Sequence, residues 1–266
     1  MKKEFRTPFD RFIAIIEQLR DPTIGCPWDK EQTHESLKRY LIEEAYEVLD
    51  AIDISPRALC EELGDLMLQV GLHSQIAAEA GHFSIDDVLA SITDKLIERH
   101  PHVFGGTPLT TAAEVATQWD AIKQRNKSNG EGTLAGIPRH LPALMRGQKI
   151  SKQAAAKGFE WEELSGIRDK ILEEVAEFAA EAVNPEKNPT ALQDEFGDIL
   201  FSLIQLARRH GFDAEDALQR TNNRFIARFE RVESQSSKKL EELSPEEWRG
   251  LWNEAKSFVK DADSKG

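Results

Sequence analysis

The hydrophobic positions of the chain recur mainly at the spacing of an α-helix. Between residues 41 and 52 the apolar side chains fall three or four positions apart, so they share one helix face. We therefore predict a helix that buries this face and ends at Ser55-Pro56. The apolar positions are Leu41, Ala45, Val48, Leu49 and Ile52.

Turn and capping residues predict the bounds of the neighbouring helices. A second helix is predicted over residues 58–80, because Gly81 suits a helix end. Ser84 and Asp87 are spaced to cap the next helix, which Pro101 stops. Strand signals, such as alternating β-branched runs, are scarce. The pattern as a whole predicts an all-α fold.

The two halves of the chain repeat one another. Glu44 and Glu47 are matched by Glu174 and Glu177, 130 positions further on. The segment HFSIDDVLASITDKLIERH aligns without gaps with GFDAEDALQRTNNRFIARF, 129 positions later. A spacing of 133 relates three further pairs, which are Trp28 and Trp161, Glu62 and Glu195, and Trp119 and Trp252. The chain is therefore interpreted as a tandem duplication.

A polar segment separates the repeats. Residues 126–138, NKSNGEGTLAGIP, are rich in Gly, Asn and Ser, which is typical of a linker. We predict an amino-terminal domain over residues 1–128, a linker over 129–138 and a carboxy-terminal domain over 139–266. Each half offers about four main helices, enough for a small bundle. Ser244-Pro245-Glu246-Glu247 is a capping box that opens the last helix.

Acidic side chains recur in the same order in both halves. Each half has Glu-Glu-x-x-Glu on one helix and Glu-x-x-Asp on the next. Because residues three or four apart share a helix face, these carboxylates are expected at the rim of the apolar stripe. We define the first cluster as Glu44, Glu47, Glu62 and Asp65, and the second cluster as Glu174, Glu177, Glu195 and Asp198.

Carboxylates that converge in this way predict a divalent cation. At about 4 Å, a like-charge pair costs roughly 4 kcal/mol at an effective dielectric of 20. Oxygen-only ligation suits Mg²⁺ or Mn²⁺, and Mg²⁺ commonly binds substrate phosphates as well, so chemistry on a phosphoanhydride is favoured. A single motif is more often a solvated helix face, but repetition in register favours a metal site. Di-iron bundles use Glu-x-x-His, which these glutamates lack.

The composition narrows the classes of partner. The 266 residues include 34 basic and 47 acidic ones, a net charge of −13, which disfavours binding to a nucleic-acid polymer. Two cysteines without a C-x-x-C pair support neither a disulfide framework nor a cysteine zinc site. The sequence has no run of about 18 apolar residues and no signal-peptide core. We expect a cytoplasmic protein that does not bind membranes.

The motifs resemble the MazG family of nucleoside triphosphate pyrophosphohydrolases, whose signature is E-E-x-x-E followed by E-x-x-D. GCPWDKEQTHESLKRYLIEEAYE, residues 25–47, and RHPHVFG, residues 99–105, are similar to that family as well. The resemblance implies an all-α homodimer that uses Mg²⁺, with Mn²⁺ as the alternative, to hydrolyse nucleoside triphosphates to monophosphate and pyrophosphate. It also implies that both clusters bind metal and that the carboxy-terminal half is active.

The resemblance further implies substrate contacts in the second half. Arg224 and Arg228 share a helix face and can clamp a polyphosphate, while Trp252 can stack on a base. The expected contacts are Lys170, Ile171, Leu172, Glu173, Glu174, Asn223, Arg224, Arg228, Trp252 and Lys256.

Three residues of the second half are candidate catalytic groups. We expect Glu173 or Glu174 to orient or deprotonate a water that attacks the α-phosphorus, with Lys170 stabilising the developing charge. One alternative is a helical protein that binds nucleotides, or regulates a partner, without turnover. Another is a duplication in which one half serves only for dimerisation.

Overall fold

The structure, a computed structural model, describes residues 7–106, 109–125, 132–183, 186 and 188–263. Every regular element in these ranges is helical, which confirms the predicted all-α fold. None of the described helices is long and apolar enough to cross a membrane. The chain divides into two compact units, Met1–Lys127 and Ser128–Gly266. Part of the predicted linker lies outside the described residues, so the proposed domain bounds stay predictions.

The first unit is built around a pair of long helices. Its described helices are α1 (Pro8–Leu19), α2 (Pro27–Glu31), α3 (Lys38–Ile54), α4 (Pro56–Glu79), α5 (Ile85–Arg99), α6 (Pro101–Phe104) and α7 (Ala112–Arg125). α3 packs along α4, α1 packs on α4, and α5 contacts both α4 and α7. The sequence predicted about four main helices, and α1 is an additional long helix whose Ile16 is buried in the core.

The second unit repeats this arrangement. Its described helices are α8 (Ala143–Ala155), α9 (Leu164–Glu181), α10 (Pro189–Arg209), α11 (Ala214–Gln235) and α12 (Pro245–Asp263), with a 3₁₀ turn at Leu240–Glu242. α9 packs along α10, α8 packs on α10, and α11 packs on α12. The pair α9–α10 therefore corresponds to α3–α4, and each pair carries one carboxylate cluster.

Capping interactions confirm several predicted helix ends. Ser84 Oγ accepts from the Asp87 amide, and the Ser84 amide donates to the Asp87 carboxylate at 2.8 Å. The Ser244 amide donates to Glu247 at 2.8 Å where α12 begins. Gly81 adopts a φ of 70° after α4, a left-handed conformation that glycine accommodates without strain.

A glycine allows close packing between the first helix of each unit and its helix pair. In the first unit Gly71 of α4 lies against Ile16 of α1. In the second unit Ile204, 133 positions after Gly71, lies against Gly147 of α8. A Cβ on Gly147 would come within 2.8 Å of Ile204 Cδ1. The small and large partners are exchanged between the units, and the contact is kept.

The helix face that was predicted to be buried is largely exposed within the chain. Leu49 and Ile52 of α3 are both 57% exposed, and Val175 of α9, which follows Ala45 by 130 positions, is 45% exposed. The paired helices add matching exposed residues, which are Leu63, Met67 and Val70 in α4 and Phe196, Leu200 and Leu203 in α10. The prediction was wrong because periodicity identifies an apolar stripe but not the surface that covers it. We call these two surfaces the apolar stripes.

Candidate active site

The second cluster lies between α9 and α10. Glu174, Glu195 and Asp198 each offer a carboxylate oxygen, and these oxygens lie within 4.8 Å of one another. Glu174 is only 5% exposed, whereas Asp198 is exposed at the surface. Glu177 falls outside this tight group, but its charge acts on Glu195. The cluster therefore has a buried end at Glu174 and an open end at Asp198.

The first cluster has the same construction between α3 and α4. Oxygens of Glu44, Glu47 and Glu62 lie within 4.8 Å of one another, and the charge of Asp65 acts on Glu44. The Nε2 atom of Gln69 donates a long hydrogen bond of 3.5 Å to Glu44 Oε1. The Oε1 atom of Gln69 is buried and has no hydrogen-bond partner.

Burial, together with repulsion between the carboxylates, raises the pKa of several members of the clusters. Burial, followed by the charges of Asp65 and Glu47, raises the pKa of Glu44 above its ordinary value. Burial and neighbouring carboxylates likewise raise the pKa of Glu62 and of Glu195. A cation between the carboxylates would remove this repulsion. Closely spaced, oxygen-only donors with an excess of negative charge fit a hard divalent cation such as Mg²⁺ or Mn²⁺.

A lysine distinguishes the second cluster from the first. Lys170 Nζ lies 2.8 Å from Glu174 Oε1 and 2.9 Å from Glu173 Oε1. Hydrogen bonds to Glu174 and then to Glu173 raise the pKa of Lys170 above its usual range. The first half has Tyr40 at the equivalent position, 130 residues earlier, and its ring packs edge-on against Trp28. This difference was not predicted, although the alignment of the halves contains it.

The other expected substrate contacts lie elsewhere on the second unit. Arg224 of α11 donates to Thr221 Oγ1 at 2.9 Å, and the Trp252 ring of α12 lies 5.1 Å from that of Phe225. The Nε atom of Arg228 is buried without a partner. Across the described residues, no hydrogen bond or ion pair joins the arginines or Trp252 to the second cluster. The remaining expected contacts are half-buried Ile171 and the exposed residues Leu172, Asn223 and Lys256.

The equivalent region of the first unit ends differently. α5 stops at Arg99 before Pro101, as predicted, whereas α11 continues to Gln235. His100 lies edge-on to Trp119, with ring centroids 5.1 Å apart. The Nε of Arg99 and the Nε1 of Trp119 are both buried without hydrogen-bond partners.

An ion-pair clamp fixes the loop that leads into α9. Arg208 Nη1 lies 2.6 Å from Glu160 Oε2, and Arg209 Nη1 lies 3.3 Å from Glu160 Oε1. The Trp161 amide also donates to Glu160 at 2.9 Å. Arg208 in particular lowers the pKa of Glu160 to about 2. The clamp ties this loop to the end of α10, next to the helix that presents Lys170.

Comparison with known proteins is consistent with this duplicated construction. Residues 32–104 and 163–233 match the MazG nucleotide pyrophosphohydrolase domain. A protein of Escherichia coli (strain K12) named nucleoside triphosphate pyrophosphohydrolase is 46% identical over 229 residues, which cover 84% of this chain and 86% of the relative. A Mycolicibacterium smegmatis protein with the same name is 32% identical over 258 residues, covering 94% of this chain and 71% of the relative.

A third relative extends over nearly the full length of both chains. The Thermotoga maritima protein named nucleoside triphosphate pyrophosphohydrolase/pyrophosphatase MazG is 42% identical over 259 residues, 96% of this chain and 98% of the relative. Both domain matches contain one of the carboxylate clusters. The chain therefore belongs to the MazG nucleotide pyrophosphohydrolase family and carries two copies of its domain.

Proposed function

We propose that the chain is a nucleoside triphosphate pyrophosphohydrolase that depends on Mg²⁺ or Mn²⁺ and accepts several bases. It would convert a nucleoside triphosphate and water to the monophosphate and pyrophosphate. The observation that carries this proposal is the convergence of the second cluster beside Lys170. A cluster of carboxylates of this kind holds a divalent cation. A cation next to a lysine provides two positive charges that can bind the oxygens of a triphosphate. The names of the relatives support the same reaction class.

The second cluster would hold the cation through Glu174, Glu177, Glu195 and Asp198. A bound divalent cation supplies positive charge for the triphosphate and lowers the pKa of a water ligand. Glu173 or Glu174 would orient the attacking water or accept its proton; Glu173 is favoured because it lies outside the tight ligand group and beside Lys170. Lys170 would stabilise the charge that develops on the phosphate oxygens.

Residues of α11 and α12 would bind the rest of the substrate. Arg224 is exposed and Arg228, one turn further along α11, is half-buried, so their guanidinium groups would bind phosphate oxygens. Trp252 is half-buried, and its ring can stack on a base with little selectivity between bases. Lys256 lies one turn further along α12 and adds positive charge to the same surface.

A homodimer is part of the proposal. The apolar stripes leave several large side chains of each unit exposed, and Leu63, Met67 and Val70 recur 133 positions later as Phe196, Leu200 and Leu203. Repeated stripes of this kind typically mark protein interfaces. A second copy of the chain would cover them and complete the helical bundles. A cytoplasmic location belongs to the same proposal, because nucleoside triphosphates would be the substrates.

Product analysis tests the proposed reaction. The purified protein is incubated with each common nucleoside triphosphate and Mg²⁺, and the products are separated, with EDTA as the control. We expect monophosphate and pyrophosphate, and their loss on chelation. Nucleotide binding without any product would favour the non-catalytic binding protein. In ¹⁸O-water the label should enter the monophosphate, and label found only in pyrophosphate would contradict attack at the α-phosphorus.

Matched substitutions assign the activity to one half. Glu174→Gln removes the buried charge of the second cluster and should reduce turnover about 100-fold or more. Glu44→Gln makes the same change in the first cluster and should have the smaller effect. If Glu44→Gln abolished turnover while Glu174→Gln did not, the assignment of the active site to the second half would be wrong.

A further inference from the structure

The side chain of Lys170 lies against the buried end of the second cluster, at Glu174. Its Nζ lies 2.8 Å from Oε1 of Glu174, a residue that belongs to the tight ligand group. Lys170 precedes Glu174 by one turn of α9, so the ion pair forms within a single helix and needs no movement of the backbone. A cation that binds through this oxygen must displace the ammonium group.

The first cluster has no such occupant among the described residues. Tyr40, at the position equivalent to Lys170, packs against Trp28 and the core around Leu37 and Leu72. The neighbour of Glu44 is instead Gln69, a neutral side chain that is 5% exposed. The Oε1 atom of the same amide is buried without a hydrogen-bond partner.

We propose that Lys170 is a built-in competitor of the divalent cation, so that the first cluster fills at a lower cation concentration than the second. At the second cluster the cation must replace the ammonium on Glu174, and the released Nζ can then pair with a phosphate oxygen. Cation and triphosphate would therefore favour each other's binding at this site, and the coupling must be reciprocal. This inference rests on the proposed function of the second cluster.

Mn²⁺ binding measured without nucleotide tests the proposal. Glu62→Gln isolates the second cluster and Glu195→Gln isolates the first, and free Mn²⁺ is followed by electron paramagnetic resonance. We expect the first cluster to bind Mn²⁺ more tightly. In the Glu62→Gln protein, Lys170→Met should tighten Mn²⁺ binding about tenfold, because it removes the ammonium group that competes with Mn²⁺ for Glu174.

Arg168→Met is the matched control for long-range charge. Arg168 lies on the same helix, two residues before Lys170, but its guanidinium pairs with Asp169 at 3.5 Å and is 71% exposed. Removing it should change Mn²⁺ affinity less than twofold. Equal tightening by Arg168→Met and Lys170→Met, or no tightening by Lys170→Met, would overturn the proposal. Thermal unfolding followed by circular dichroism checks that each variant is folded.

The outcomes separate this inference from the proposed function. If Lys170→Met left Mn²⁺ affinity unchanged while the wild-type protein still hydrolysed nucleoside triphosphates, the competitor role alone would fail. If the Glu62→Gln protein bound no Mn²⁺ with either residue at position 170, and the wild type released no pyrophosphate, the metal-dependent hydrolase itself would fail.

Discussion

Replacing Glu160 by glutamine removes the charge at the centre of the clamp that fixes the loop before α9. Glu160 accepts from Arg208, Arg209 and the Trp161 amide. The substitution keeps the size of the side chain but leaves the two guanidinium groups without a carboxylate. Because both are largely buried, with 16% and 23% of their side chains exposed, the loss should destabilise the second unit.

The size of the expected change in the free energy of unfolding follows from the pKa of Glu160. Its pKa falls from an ordinary 4.5 to about 2, and each pKa unit corresponds to about 1.4 kcal/mol. The full shift would be worth about 3 kcal/mol. The side chain is 27% exposed, so solvent screens part of this interaction. We expect Glu160→Gln to lower the free energy of unfolding by about 2 kcal/mol at pH 7.

The pH dependence gives an independent check. A carboxyl group whose pKa is lower in the folded state stabilises the fold above its unfolded pKa, and this contribution is lost as the pH falls towards 2. The stability gap between wild type and Glu160→Gln should therefore narrow from pH 7 to pH 3.5. Urea unfolding at several pH values measures it.

Glu163→Gln is the matched control for the clamp. Glu163 lies in the same loop, and its carboxylate accepts only from Ser165 Oγ, at 3.1 Å, within the described contacts. Its substitution should change the free energy of unfolding by less than about 0.5 kcal/mol. If Glu160→Gln were as stable as Glu163→Gln, or if its stability gap stayed constant with pH, the ion-pair account of this loop would be refuted.

Two further predictions concern the carboxylates and the packing beneath them. Burial, followed by the charge of Glu177, raises the pKa of Glu195, so its ionised form destabilises the metal-free fold at neutral pH. Glu195→Gln should therefore raise the melting temperature in EDTA more at pH 7 than at pH 5. An unchanged melting temperature would contradict this expectation. Gly71→Ala places a methyl group against Ile16 and should cost about 1 to 3 kcal/mol in urea unfolding, whereas Gly64→Ala in the same helix meets nothing and should gain about 0.5 to 1 kcal/mol. Partial rescue of Gly71→Ala by Ile16→Val would confirm the contact, and strict additivity would exclude it.

Local features of the structure were largely predictable from the sequence. The amino-terminal ends of α5 and α12 could be predicted from Ser84, Asp87 and the Ser244 capping box. A capping box depends only on two residues three positions apart in the sequence. Helix periodicity placed the carboxylates of each motif on one face, and the structure brings three of the four in each cluster together. The role of these carboxylates in binding metal stays a prediction.

The direction in which α3 and α9 face was not predictable. The apolar stripe and the carboxylates lie at neighbouring angles around each helix, so periodicity alone cannot decide which side turns inward. The sequence favoured burial of Leu49 and Ile52, yet both are exposed, and Glu174 of α9 is buried. A helix face that a second chain covers has the same apolar sequence pattern as a helix face that packs inside its own chain.

One difference between the two halves is compensated by a second difference on the facing helix. Gly71 faces Ile16 in the first unit, and Ile204 faces Gly147 in the second, so volume is exchanged across one contact and the helix pair keeps its support. Compensation of this kind is expected wherever close packing constrains both partners, because an unmatched change costs stability.

The difference between Lys170 and Tyr40 has no such compensation. Within the described first unit, no lysine or arginine forms an ion pair with the first cluster, and buried Gln69 stands where the second half has Ser202. The same carboxylates are therefore held in two electrostatic environments, one neutralised by a lysine and one not. Lys170 contacts the second cluster directly, whereas Tyr40 packs on the core, so the difference changes the charge that a bound cation meets. We therefore expect cation affinity, more than stability, to distinguish the two halves.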